Sequence, residues 1–146
     1  MSTAAQETPY ALAVAHHARS TTVSPIYGFL LSALVLQEHG TGAGTSVAYL
    51  TLEPHHLNSS GSIHGSVSAT IVDWASGNAL ATLCSKSGVS VDMHVTFLAK
   101  AVLGQEVEVR GIVDKLGGRI AFTRVEVRRV DDGELVVTAI HTKFVG

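Results

Sequence analysis

The spacing of apolar and polar residues divides the first half of the chain into a helix and two strand-like runs. Residues 3–18 are helix formers with small and apolar residues at helical spacing, which predicts an amphipathic helix that ends before Pro25. Phe29 to Gln37 is a continuous apolar run of strand length, and Val47 to Glu53 is a second one. The glycine-rich segment between the two runs predicts a hairpin.

In the second half, apolar and polar residues alternate. From Val89 to Phe97 every second residue is apolar, in a strand predicted to reach Ala99. Further strands are predicted at Val107 to Val113, Ile120 to Val130 and Glu134 to Val145. The last two are joined by Asp131-Asp132-Gly133, a strong hairpin signal.

A long helix is predicted between these halves, starting near Gly65. Its apolar residues lie on more than one face and many of them are small, which indicates burial on most sides and close approach by other backbone. A strongly curved sheet wrapped around the helix would bury it on most sides. The predicted architecture is therefore α+β, with one long helix against about six largely antiparallel strands.

Asp73 is the anomaly within this helix. It is the only Asp, Glu, Lys or Arg between Pro54 and Ser85, and apolar residues surround it. A carboxylate in such a place is costly unless it is paired, hydrogen-bonded or used for chemistry. Asp73 is therefore the first candidate for a catalytic group, with a buried polar anchor as the alternative.

Composition narrows the class of protein. At 146 residues, with 46% apolar and 15% charged residues, the chain fits one folded domain rather than a disordered segment. A net charge of −2 provides no general attraction for nucleic acid. No apolar run is long enough to span a membrane, and the N-terminus lacks the apolar core of a secretory signal. A single cysteine, Cys84, fits a reducing compartment, so we expect a cytoplasmic location with the mitochondrion as the alternative.

The paired histidines are the remaining feature that could indicate a metal. His16-His17 and His55-His56 have no carboxylate or cysteine at ligand spacing, so no metal site is predicted. No glycine-rich phosphate loop opens a helix either, and no cofactor is predicted.

Several short motifs occur together and in a fixed order. They are Asn58, Gly61, His64-Gly65, Asp73, Gly88-Val89-Ser90-Val91-Asp92-Met93 and the closing His141-Thr142-Lys143. In this order and spacing the chain resembles the hotdog-fold acyl-CoA thioesterases of the 4-hydroxybenzoyl-CoA thioesterase superfamily. It is most similar to the group called thioesterase superfamily member two and to bacterial relatives from phenylacetate pathways. The resemblance runs from about Leu52 to the C-terminus.

The resemblance implies a role for each matching residue. The side chain of Asn58 and the backbone N–H of Gly65 would polarise the thioester carbonyl, and His64 would lie beside the thioester and shape the site. Asp73 would act as base or nucleophile, and Ser90 would help to place the water. The chain is accordingly predicted to comprise an N-terminal helical extension over residues 1–24 and a hotdog thioesterase domain over residues 25–146. The resemblance implies no cofactor apart from the CoA of the substrate.

Two residues depart from the pattern of this family. Ser66 follows Gly65 where the family usually has a second glycine, so its side chain would take up room near the carbonyl. Trp74, directly after the aspartate, is bulkier than the pattern leads us to expect.

The distance between Gly65 and Asp73 leads to a prediction of its own. Eight residues of helix separate them by roughly 12 Å along the axis, whereas a base must lie within about 3 Å of its target. One helix therefore cannot supply both groups to one site. Two helices packed antiparallel at about 8–10 Å could do so, which predicts a dimer with two shared sites if Asp73 is catalytic. The resemblance implies the same, often as a dimer of dimers.

Four basic residues at predicted strand ends or turns are candidates for the CoA phosphates, although such residues are more often simply solvated. They are Lys100, Lys115, Arg119 and Lys143.

The predicted function is hydrolysis of a fatty or aryl acyl-CoA to the acid and CoA. Taken singly, three of these residues also have a structural explanation. Asn58 would cap a helix, His64 would be a structural histidine, and Ser90 would be a solvated strand residue. A non-catalytic hotdog dimer that binds acyl-CoA as a sensor or carrier is one alternative function. A hotdog enoyl-CoA hydratase is the other, but it needs a histidine a few residues from its aspartate, and Asp73 has none nearby.

Overall fold

The computed structural model describes residues 5–86 and 88–146. Within these residues the chain forms three α-helices, a short 3₁₀ turn and one six-stranded sheet. The helices are α1 (Pro9–Val23), α2 (Pro25–Leu31) and α3 (Gly65–Ala81), and the 3₁₀ turn is Pro54–His56. The strands are β1 (Val35–Leu36), β2 (Thr45–Thr51), β3 (Val89–Phe97), β4 (Glu106–Leu116), β5 (Ile120–Arg129) and β6 (Leu135–Phe144). The predicted α+β architecture is confirmed.

The sheet is antiparallel throughout, in the order β1-β2-β4-β5-β6-β3, and its inner face covers α3. Strand β4 passes so close to the helix that a Cβ atom at Gly111 would collide with the carbonyl oxygen of Ala75. The small residues of α3 therefore permit the close backbone approach that the sequence predicted. The predicted hairpins β1–β2 and β5–β6 are also present.

The N-terminal helix is present but shifted relative to its prediction. Residues 3 and 4 lie outside the described residues, and residues 5–8 are not helical. The helix begins at Pro9, where the side chain of Thr8 accepts a hydrogen bond from the N–H of Ala11, and it continues to Val23. Ser24 ends α1 and caps α2. The predicted division into residues 1–24 and 25–146 stays a prediction.

The predicted strand from Phe29 to Gln37 is wrong. Its first residues belong to α2, and only Val35 and Leu36 form a strand. Pro25 occupies the first turn of α2, and the side chain of Ser24 accepts from the N–H of Tyr27. A short apolar run fits a half-buried helix as well as a strand, so periodicity alone could not separate the two.

Strand β3 lies at one edge of the sheet. Among the described strands it pairs only with β6, and Val89, Val91 and Phe97 are 68%, 58% and 59% exposed. An open edge with exposed apolar side chains is unusual for a monomer, because it is a template for pairing with another strand. In the described ranges, none of the helices has the length and apolar character needed to cross a membrane.

Candidate functional site

Asp73 stands half-buried on α3, and both of its carboxylate oxygens accept hydrogen bonds. The hydroxyl of Tyr27 donates to Oδ2, and the hydroxyl of Ser90 donates to Oδ1 at 3.2 Å. The side chain is still 39% exposed, so solvent or substrate can reach it. The carboxylate is therefore both oriented and accessible, as a base or nucleophile requires.

His141 extends this arrangement. Its Nε2 lies 2.8 Å from the Ser90 Oγ. Because the single Ser90 proton points at Asp73, the Oγ accepts a hydrogen bond from the Nε2–H of His141. Burial, aided by the charge of Lys143, lowers the pKa of His141, so the ring is neutral near pH 7. The hydrogen bonds thus run in one direction: His141 donates to Ser90, and Ser90 donates to Asp73.

A β-bulge turns Ser90 toward α3. The pairing of β3 with β6 shifts between Ser90 and Asp92, which leaves Val91 as an extra residue. In a strand of unbroken alternation Ser90 would share the outer face with Asp92. With the bulge it pairs with Lys143 and lies on the same face as Met93, which pairs with His141.

Tyr27 was missed in the sequence analysis, and His141 was noted there only as part of a motif. Tyr27 was hidden because it lies between the predicted N-terminal helix and the predicted strand from Phe29, in a segment assigned to neither. The Ser24-Pro25 pair, a common helix start, was the signal that could have placed Tyr27 in a helix. Burial and the neighbouring Asp73 raise the pKa of Tyr27, which keeps its hydroxyl protonated as a donor.

Asn58 is held by the turn that precedes α3. Its side-chain oxygen accepts from the N–H and the hydroxyl of Ser60, at 3.0 and 2.9 Å, and from the N–H of Ser62 at 3.1 Å. These bonds fix the orientation of the amide, and the amide nitrogen makes only a long 3.4 Å contact with the Ser62 Oγ. The amide nitrogen of Asn58 is therefore the group that can donate to a ligand.

Gly65 opens α3 and shares a cavity with Asn58. Among residues 5–86 and 88–146 no acceptor takes its N–H, as expected for the first residue of a helix. This cavity, called the Asn58 cavity below, has a volume of 250 Å³. It is lined by Asn58, Ser62, Ile63, Gly65, Ser68, Phe97, Ala99, Val136 and Val137.

His64 is the N-cap of α3. Its Nδ1 accepts from the N–H of Ser66 at 3.0 Å and lies 2.7 Å from the Ser66 hydroxyl. The side chain of Ser66, one of the two departures from the family pattern, is thus held against His64. The other, Trp74, is 1% exposed and packs edge-on against His17.

Asp73 belongs to different cavities from Asn58 and Gly65. In the described part of the chain it lines a cavity of 530 Å³, called the Lys143 cavity below, and one of 370 Å³, called the Met93 cavity. The former is lined by His16, Arg19, Ser20, Val23, Tyr27, Asp73, Trp74, Gly77, Gly88, Val89, Ser90 and Lys143. The latter is lined by Ile26, Tyr27, Ala69, Thr70, Asp73, Ser90, Asp92 and Met93. Within a single chain, Asp73 lies with Ser90, and Asn58 lies with Gly65. The first pair and the second pair line different cavities.

The four basic residues do not form one group. Lys100 is exposed before β4, whereas Lys115 and Arg119 are exposed near the other end of that strand. Lys143 differs from all three because it is buried under α1 and α3. Their role toward the CoA phosphates stays a prediction.

One of the paired histidines has a structural role. His56 is buried, and its ring nitrogens bond to the N–H of Glu53 and to the carbonyl oxygen of Leu30. These two bonds join the 3₁₀ turn to the end of α2 and leave no ring nitrogen of His56 for a metal.

Several known proteins that resemble this chain in sequence or fold are thioesterases. A model of the thioesterase superfamily matches residues 60–136. Acyl-coenzyme A thioesterase 13 of Homo sapiens is 37% identical over 106 residues, which are 70% of this chain and 74% of that protein. The crystal structure of zebra fish thioesterase superfamily member 2 has 29% identity and a TM-score of 0.85, and covers 97% of this chain and 100% of that chain. A hypothetical thioesterase from Streptococcus pneumoniae, solved with coenzyme A, has 22% identity and a TM-score of 0.74 over 84% of this chain and 95% of its own.

These similarities confirm the hotdog fold that the resemblance implied. The family match spans more than half of the chain and includes the turn at Gly61, the whole of α3 and strands β3, β4 and β5. The chain belongs to the thioesterase superfamily.

Proposed function

We propose that this protein is an acyl-CoA thioesterase. The observation that carries the proposal is the Asp73 carboxylate, oriented by Tyr27 and Ser90 and still open to two cavities, in a chain of this superfamily. Human acyl-coenzyme A thioesterase 13, at 37% identity, supports CoA as the thiol of the substrate. Fatty and aryl acyl groups are the substrate classes expected from the resemblance.

In the proposed reaction, water adds to the thioester carbon. Asp73 takes a proton from the water as the new C–O bond forms, and the carbonyl oxygen becomes an oxyanion. The Asn58 amide nitrogen and the Gly65 N–H, at the positive end of α3, donate to that oxyanion. The oxyanion then collapses, the C–S bond breaks, and the proton held by Asp73 neutralises the leaving thiolate. The products are the acid and CoA.

Asp73 as nucleophile is the second form of this mechanism. Its carboxylate would attack the thioester carbon, release CoA and form an anhydride that water then cleaves. Single-turnover hydrolysis in ¹⁸O-labelled water separates the two forms, because an anhydride pathway can leave the label in the Asp73 carboxylate.

We further propose that two subunits share each site, with Asp73 of one facing Asn58 and Gly65 of the other. Two observations support this arrangement. The two pairs of residues line separate cavities within one chain. The apolar, unpaired edge of β3 also lies beside both half-sites, since Ser90 belongs to β3 and Phe97 lines the Asn58 cavity. Pairing of two β3 edges would cover this edge and extend the sheet across the dimer.

An assay of released CoA tests the proposal. The wild-type protein should hydrolyse members of a panel of aliphatic and aryl acyl-CoA thioesters. Asp73→Asn keeps the size of the side chain but removes the base, so kcat should fall by at least about 10²-fold. Asp131→Asn, the same loss of charge in the exposed β5–β6 turn, is the control and should retain activity. Binding of acyl-CoA without hydrolysis would instead indicate a sensor or carrier.

The cytoplasmic location, with the mitochondrion as the alternative, is part of the same proposal. Fractionation of cells that express the tagged protein checks it.

A further inference from the structure

Lys143 is a buried lysine in the lining of the Lys143 cavity. It is 5% exposed, and no hydrogen bond or ion pair joins its ammonium group to an acceptor within residues 5–86 and 88–146. Burial lowers the pKa of Lys143, and the charge of Asp73 opposes that shift. An ammonium group in such a place is costly unless an anion accompanies it. Among the described residues, the cavity that Lys143 lines contains one carboxylate, Asp73, whose oxygens already accept from Tyr27 and Ser90.

His16 adds a second donor at the same place. A Cβ atom on Gly77 would lie 3.5 Å from the His16 Nε2 and 3.7 Å from the Lys143 Nζ, so both atoms converge over this glycine. The amide nitrogen of Asn78 donates to the carbonyl oxygen of Ala13 and to the His16 Nδ1, both at 2.9 Å. Because Nδ1 accepts, the proton of the neutral ring is on Nε2, which points at the cavity.

The other polar groups of the cavity strengthen this donor character. Arg19 contributes a guanidinium group from α1. Among the described residues that line the cavity, Asp73 is the one carboxylate, and its oxygens already accept from Tyr27 and Ser90. The Lys143 cavity thus presents two cations and a neutral imidazole donor against the single negative charge of Asp73, so its net charge is positive. A carboxylate is the group that matches this set.

We propose that the Lys143 cavity binds the carboxylate at the far end of an acyl group, so that ω-carboxyacyl-CoA thioesters are preferred substrates. This inference rests on the proposed thioesterase function. Asp73 lines the cavity. If Asp73 acts on the thioester as proposed, the thioester carbon lies beside this cavity, and a group inside the cavity is a few bonds from that carbon. The CoA phosphates are separated from the sulfur by the whole pantetheine arm and cannot occupy the same place. The anion therefore belongs to the acyl side, and Lys143 serves the acyl group rather than the CoA phosphates.

Matched pairs of substrates test the proposal on the unmodified protein. Glutaryl-CoA and valeryl-CoA have the same chain length and differ in one terminal carboxylate, and adipyl-CoA and hexanoyl-CoA form a second pair. In at least one pair, kcat/KM of the wild type should be about tenfold or more higher for the carboxylated substrate, the usual scale for a hydrogen bond to a charged group. Glutarate should also inhibit hydrolysis of valeryl-CoA more strongly than valerate does.

A variant of Lys143 tests whether the cavity causes the preference for carboxylated substrates. Lys143→Met keeps the length of the side chain and removes its charge, so the ratio of kcat/KM between carboxylated and neutral substrate should fall by about tenfold or more. Lys86→Met is the matched control because Lys86 is exposed and lines a neighbouring cavity. It makes the same change in net charge and should leave the ratio as in the wild type.

The outcomes separate this inference from the proposed function. Hydrolysis of valeryl-CoA and hexanoyl-CoA with no preference for a carboxylated partner would overturn the inference and leave the thioesterase function standing. Lys143→Met could instead lower the activity toward both members of a pair by the same factor. That result would also overturn the inference and leave the thioesterase function in place, since Lys143 would then act on the thioester or on CoA. Failure of the wild type to hydrolyse any of the four substrates would overturn the inference, and failure on the wider panel would overturn the function too. If Lys143→Met does not fold, the wild-type preference and the glutarate inhibition still decide the matter.

Discussion

At the scale of single residues, the donors around Asp73 decide what its carboxylate can do. A carboxylate on an exposed helix position rotates freely, whereas here Tyr27 holds one oxygen and Ser90 holds the other. Tyr27 comes from α2 and Ser90 from β3, so two elements far apart in the chain fix the plane of the carboxylate. Tyr27 acts through Asp73 and is therefore a positioning residue.

Removal of the Tyr27 hydroxyl should lower kcat with little change in KM. Tyr27→Phe keeps the ring and its packing but takes one donor from Asp73. A hydrogen bond to a charged group contributes about 1.5–3 kcal/mol, so we expect kcat for an acyl-CoA substrate to fall by roughly tenfold or more. Steady-state kinetics of Tyr27→Phe measures the two constants separately.

Tyr10→Phe provides the comparison, because it removes a hydroxyl from α1 without touching Asp73. It should behave as the wild type does. A rise in KM at constant kcat in Tyr27→Phe would show that Tyr27 contacts the substrate instead of orienting the carboxylate.

At the scale of elements, the contact between α1 and α3 contains a buried histidine. His16 of α1 accepts from Asn78 of α3, and burial, with smaller contributions from Arg19 and Lys143, lowers its pKa from 6.5 to about 4. The His16 ring therefore becomes protonated at a lower pH in the folded chain than in the unfolded chain. Between pH 6.5 and 4 the unfolded state holds more protons, so stability falls as the pH is lowered through this range.

The His16→Asn variant should lose less stability in acid. The Asn oxygen can accept from Asn78 as the His16 Nδ1 does, but it does not titrate. From the shift in pKa, the free energy of unfolding should fall by about 3 kcal/mol less in His16→Asn than in the wild type between pH 7 and pH 4. Urea unfolding at fixed protein concentration over this pH range gives the measurement.

The same substitution at His39 serves as a reference, since His39 is exposed in the loop before β2. His39→Asn should follow the pH dependence of the wild type. An unchanged acid response in His16→Asn would mean that the other buried histidines, His17, His56 and His141, cause the acid sensitivity, because their pKa values are also lowered by burial.

At the scale of the whole molecule, one chain carries two incomplete halves of the proposed site. The Asn58 cavity contains the oxyanion donors, and the cavities beside Asp73 contain the base and its partners. If each half works with the complementary half of another subunit, two different inactive variants can restore each other.

Mixed subunits should regain activity. Asp73→Asn subunits combined with Asn58→Ala subunits form dimers in which one site is doubly damaged and the other is intact. Random reassortment makes about half of the dimers mixed, so activity should return to roughly a quarter of the wild-type value. Co-expression with two different tags isolates the mixed dimers, since subunits held by a buried interface exchange slowly.

Mixing two preparations of the same variant is the control and should restore nothing. Purified mixed dimers that remain inactive would show that Asp73 serves its own subunit or has a structural role.

The long, nearly all-apolar helix, the glycine near its start and the single charge within it are local patterns, and local patterns are visible in a sequence. They were sufficient to predict α3 and the α+β architecture, and the combination of Asn58, Gly65, Asp73 and Ser90 was sufficient to indicate the superfamily. The eight-residue spacing from Gly65 to Asp73 also predicts that one helix does not complete a site, and this stays a prediction.

Other features depended on contacts between distant segments, which the order of residues does not contain. The end of α2, from Phe29 to Leu31, looked like part of a strand because it opens a continuous apolar run, and its packing as a helix depends on contacts with α1 and α3. Ser90 looked solvated because the bulge at Val91 is set by pairing with β6. Lys143 looked like a surface charge until α1 and α3 were seen to cover it. Tertiary structure decided these points because exposure, strand register and hydrogen-bond partners are properties of packed neighbours, whereas periodicity and capping are properties of adjacent residues.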